Sequence, residues 1–145
     1  MKYLRLFEDF NDYDPYELMI TPPNKKAEMI ISEISKREPN LNLVRDLITL
    51  GANLDWQNEY GETALYWCAI GNHPEIARML IDAGADVNIQ TNFGSTALHY
   101  CASRNYLEIA RMLIDAGADK TIPTNDENLP YEYAQTQELK ELLKP

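Results

Sequence analysis

The chain has 145 residues, 45% of them apolar and 25% charged, with a net charge of −10. This is the length and usage of one ordinary folded domain, and it excludes a low-complexity or disordered chain. The negative charge is spread over every segment, so a nucleic-acid backbone or an anionic membrane surface would be repelled and neither is expected as a partner.

Residues 1–23 form a segment of their own. Glu8, Asp9, Asp12, Asp14 and Glu17 occupy positions that a secretory leader would keep apolar, and no later run reaches the ~20 apolar residues of a bilayer span. Tyr3, Leu6, Phe7 and Phe10 fall at helical spacing with acids opposite, and Pro22-Pro23 closes the segment. It reads either as an element packed over the edge of the next unit or as a short docking motif. The opening M-K-Y-L-x-L-F-E-x-F-N also resembles the short leaders of some tailed-bacteriophage proteins, some of which are trimmed after L-x-E, here Leu6-Phe7-Glu8. That likeness implies a virion or host-cell destination.

The rest of the chain is periodic. Residues 61–86 and 94–119 are 33 apart and identical at 19 of 26 positions. The same offset carries Leu80 and Gly84 back to Leu47 and Gly51, and Thr96–Cys101 forward to Leu129–Ala134. This gives units at about 24–57, 58–90, 91–123 and 124–145, the outer two degenerate. The first lacks the threonine signature, carries Glu38-Pro39-Asn40 between its helices, and is expected to cap the array; Trp56 closes its loop at the exposed end. In the central units Thr63 and Thr96 stand at helix N-caps, followed by a stripe of small apolar residues around Cys68 and Cys101. Asn72 and Asn105 make the inter-helix turn, Pro74 opens a second helix, and Gly84 and Gly117 end theirs in a left-handed conformation. Glu75, Arg78 and Asp82, recurring as Glu108, Arg111 and Asp115, predict a solvated face laced with short-range ion pairs. In the last unit ELKELL (138–143) matches EIARML (108–113) at an offset of 30, which predicts a trimmed loop between its helices.

The pattern G-x-T-A-L-H-x-x-A…L-E-I-A-x-x-L-I-D-A-G-A-D-V-N resembles the ankyrin repeat over residues ~24–144. The resemblance implies an all-α solenoid of stacked helix-turn-helix units with projecting β-hairpin-like loops. It also implies that His99 hydrogen-bonds in the turn region and ties loop to helix, whereas Tyr66 replaces it one unit earlier.

No catalytic constellation stands out. There is no phosphate-binding or dinucleotide glycine pattern, no G-x-S-x-G, no H-E-x-x-H, and no carboxylate pair marked by an apolar setting. No catalytic residue, metal ligand or cofactor is therefore expected. Two cysteines are too few for a disulfide scaffold and suit a reducing, cytoplasmic setting. Cys68 and Cys101, at equivalent positions, read as buried small hydrophobes, since stacked helices sit ~8–10 Å apart and a disulfide needs Cα atoms within ~7 Å. Trp67 and Tyr100 share a position beside that stripe and read as core. Tyr60 and Phe93 directly precede the glycine that opens a unit, at the loop position where the resemblance implies partner contact. Glu59, Glu62, Asn92 and Ser95 flank them, Tyr66 offers a further aromatic, and Ile70, Ser103 and Arg104 would line the adjoining concave face. The two loop aromatics either form a contact surface or fold back onto a neighbouring loop.

The expected function is a non-enzymatic, monomeric module that binds a protein partner with a basic surface. Two alternatives stay open: a bacteriophage or bacterial effector addressed by its N-terminal segment, and a small-ligand protein or enzyme built on the same scaffold.

Overall fold

The computed structural model describes residues 13–145. The pattern at Tyr3, Leu6, Phe7 and Phe10 and the Leu6-Phe7-Glu8 leader lie outside the described residues. Among those residues the regular structure is helical, in nine segments: α1 (Pro15–Ile20), α2 (Pro23–Ile34), α3 (Leu41–Thr49), α4 (Ala64–Gly71), α5 (Pro74–Asp82), α6 (Ala97–Arg104), α7 (Leu107–Asp115), α8 (Pro130–Tyr133) and α9 (Gln137–Leu143). Each helix of the pair α4–α5 is repeated 33 residues on as α6–α7. The inner helices α2, α4, α6 and α8 pack in that order, and α3, α5 and α7 stack beside them as an outer row.

Local chemistry sets the helix ends. Thr63 accepts a hydrogen bond from the Tyr66 N–H at 3.2 Å and starts α4, while Pro74 starts α5, where its missing N–H costs nothing. Asn72 (φ 52°) and Asn105 (φ 59°) turn the chain through the left-handed region between inner and outer helix. Asparagine tolerates that region better than other residues with a Cβ.

The core is one continuous cluster. Ile30, Leu47, Leu65, Leu80, Leu98, Leu113 and Leu139 are fully buried in succession along the stack. Cys68, Ala69, Cys101 and Ala102 are fully buried too, and their small size is what lets successive inner helices lie side by side. Both cysteines are free thiols. At the N-terminal end Leu18 of α1 enters the same core, and the buried Lys26 donates to the Leu50 carbonyl at 2.8 Å. That ammonium sits at the C-terminal end of α3, where the helix dipole favours a cation.

Two expectations are corrected here. Arg111 does not pair along its own helix: its guanidinium meets Glu138 of α9 at 2.7 Å, and no ion pair among the described residues joins Glu75, Arg78 and Asp82. Pairs at i, i+3 on a wet surface contribute only a few tenths of a kcal/mol, too little to hold long side chains in place. The second concerns the last unit, where the helix is shortened and not the loop. α8 starts one period after α6 but runs for only four residues, and three residues rather than two separate it from the outer helix.

Candidate functional site

Long turn-rich loops connect each outer helix to the next inner one, and they stack on each other. Within a loop the chain reverses by a tight turn: Gly61 N–H donates to the Asn58 carbonyl, Gly94 N–H to Thr91, and Glu127 N–H to Thr124, each at 2.9 Å. Between loops the bonds repeat at the period of the sequence. Asn92 N–H donates to the Tyr60 carbonyl at 2.9 Å and its side-chain amide to the Glu59 carbonyl at 2.8 Å. Asn125 does the same to Phe93 and Asn92, at 3.0 and 2.9 Å. Gln57 and Gln90 each bridge their own loop and the next through one amide nitrogen, at 2.8–3.0 Å.

This lattice explains the glycines. A Cβ on Gly94 (φ 77°) would lie 2.6 Å from the Asn125 backbone nitrogen, and one on Gly61 (φ 75°) 2.8 Å from that of Asn92. One period after Gly94, Glu127 takes the same left-handed turn with φ 64°.

The braced turns project their aromatic residues. Tyr60 is 56% and Phe93 73% exposed, so neither folds back onto its neighbour. Glu59 and Asn92 are exposed beside them, and Glu62 is half-buried, its carboxylate accepting from the Asn58 amide at 2.9 Å. Beneath Phe93 lies a shallow cleft of about 160 Å³, lined with Ser95, Tyr100, Ser103, Asp126 and Tyr133. Its aromatic wall continues along the inner helices. Tyr66 meets Tyr100 edge-on at 5.8 Å, and the Arg104 guanidinium lies 5.6 Å from the Tyr100 ring centre. Burial pushes the Tyr66 phenol up despite its bond to Ser95, so this hydroxyl stays protonated at neutral pH.

Of the residues expected from the sequence, Glu59, Tyr60, Glu62, Tyr66, Asn92, Phe93, Ser95, Ser103 and Arg104 therefore line the loop edge and the adjoining inner helices. Ile70 lies apart, in a second cleft with Ile34, Trp67 and His73. Tyr100 is half-buried against the core yet also walls the first cleft. Tyr133 and Asp126 were not among the expected residues. The period itself is the signal that finds them, because they stand one repeat after Tyr100 and Phe93.

His99 is buried and bonded on both nitrogens. Nδ1 accepts from the Thr96 N–H at 3.1 Å and lies 2.9 Å from the Thr96 hydroxyl, so the proton resides on Nε2, which donates to the Asn128 carbonyl at 3.2 Å. Burial pulls its pKa down, against the pull of the backbone acceptors. The imidazole thus joins α6 to the following loop, as the sequence resemblance implied. Burial also holds both thiols protonated, with Cys101 pushed up to about 12. Among the described residues no three His, Cys, Asp or Glu side chains are grouped to hold a metal ion, and no helix is long and apolar enough to cross a membrane.

A family model described as ankyrin repeats, three copies, matches residues 31–124. Among solved structures, the ankyrin repeat domain of Bcl-3, described as a unique member of the IkappaB protein family, is 27% identical to this chain with a TM-score of 0.69. The match covers 72% of this chain and 46% of that one, so the chain spans less than half of the neighbour's length. No curated protein matches the chain.

Proposed function

The chain belongs to the ankyrin repeat family, and on that premise we propose that it is a non-enzymatic module that captures a protein partner on its loop tips and the inner-helix face beside them. One observation carries this reading: Phe93 and Tyr60 stand exposed on loops that are hydrogen-bonded to one another and cannot collapse. Large aromatics held out in water by a rigid frame lose little conformational entropy on association and supply much of the contact area at interface hot spots. The edge around them is acidic, with Glu59, Glu62 and Asp126, in a chain of net charge −10. That field favours a partner whose contact surface is basic, chiefly by speeding encounter.

Replacing Tyr60, Phe93 and Arg104 together by alanine tests the reading. These side chains are outside the fully buried core, so the melting temperature should change by no more than about 3 °C. Proteins that co-purify with the unaltered chain should be lost. A triple variant that folds normally and keeps its partners would place the contact surface elsewhere.

A further inference from the structure

We infer that the cleft between the first and second repeats is a separate binding site, and that it takes a large apolar side chain followed by a carboxylate in an extended segment of a protein partner. The cleft measures about 440 Å³ and lies between the C-terminal ends of α2 and α4. Ile34, Trp67 and Ile70 give it apolar walls, and Lys36, Arg37 and His73 line it as well. That volume is within the range of sites that hold small organic groups.

Three observations define the ligand. The Trp67 Nε1 hydrogen is shut off from solvent with no acceptor among the described residues. Such a donor is costly to leave unpaired, and a backbone carbonyl or carboxylate brought into the cleft as the indole adjusts would satisfy it. Lys36 is paired with Glu33, whereas Arg37 makes no hydrogen bond or ion pair among the described residues, which leaves its planar fork available to a carboxylate. That guanidinium stands beside an apolar wall in a chain of net charge −10. The cleft beneath Phe93, at the loop end of α6 and α8, carries Asp126 and no Lys or Arg in its lining. The two clefts differ in place and in charge, so they would select different chemistry.

The indole resonance of Trp67 reports on the site directly. In the full-length protein labelled with ¹⁵N, the two indole signals are assigned with Trp56→Phe and Trp67→Phe. The probe is the peptide acetyl-Gly-Phe-Glu-Gly-amide, compared with its Gln counterpart. The Glu peptide should shift the Trp67 signal saturably at millimolar concentration and leave Trp56 unmoved. It should bind roughly two- to fivefold tighter than the Gln peptide, the range of a partly exposed ion pair. Arg37→Ala, at an exposed position with no hydrogen bond or ion pair among the described residues, should erase that preference without lowering the melting temperature. No shift, equal binding of the two peptides, or a preference that survives Arg37→Ala would overturn the proposal. A Trp67 shift produced by Phe7→Ala or Phe10→Ala in the full chain, with no peptide added, would overturn it too, because the occupant would then be the chain's own first residues.

Discussion

His99 concentrates several demands on one side chain. It is 3% exposed, accepts from the backbone where α6 begins, and donates to the loop of the next unit. His99→Ala removes both bonds and leaves a buried N–H and a carbonyl unmatched, so thermal or denaturant unfolding should show a loss of about 1–3 kcal/mol. The pH dependence has a definite sign. Burial lowers the folded pKa, so the unfolded chain takes up the proton first. Stability is then full above the unfolded value near 6.5 and falls as pH drops from about 7 towards 5. Denaturant titrations should show that this slope is smaller in His99→Ala. An equal slope in both proteins would assign the proton to another group. The cysteines supply the second residue-scale prediction. Both are fully buried with thiols held protonated, so a thiol reagent at pH 8 should label neither until the chain unfolds.

At the scale of elements, the loops carry the specificity of the fold. Gly94 and Gly84 both have positive φ, but only Gly94 meets a neighbouring backbone, at 2.6 Å from the position of its Cβ. Gly84→Ala should cost about 1 kcal/mol, the strain of the left-handed region alone. Gly94→Ala adds a clash with the Asn125 backbone and should cost about 2–3 kcal/mol. Paired denaturation curves decide this, and equal losses would mean that the loops are not stacked as described. Much of this scale was legible in the sequence. The 33-residue offset placed the paired helices, and Thr63, Pro74 and Asn72 marked their ends. What the sequence did not disclose was the pairing between loops. Asn92 read as a contact residue because it flanks Phe93, whereas its amide holds the neighbouring loop at the Glu59 carbonyl. A loop-to-loop bond across a full period leaves no local pattern to read. The shortened α8 was hidden for a related reason, since a change in offset shows that residues are missing but not from which element.

On the scale of the whole molecule, a stack whose units touch only their neighbours has one long inner face, and side chains on that face can change without disturbing the core. The fold was legible because a repeat states its architecture more than once. The candidate site was legible only where the period brought exposed aromatics to equivalent tips, at Tyr60 and Phe93. Tyr133 and Asp126 escaped notice because they stand in register with Tyr100 and Phe93 in a unit whose other residues depart from the pattern. On the proposed reading, partners dock on the loop edge and not on the outer helices. A photo-crosslinking residue placed in turn at Phe93 and at Arg78, which is exposed on the outer helix α5, tests it most directly. Crosslinked partner should form from position 93 and be absent from position 78. Crosslinking from position 78 with none from position 93 would contradict the account.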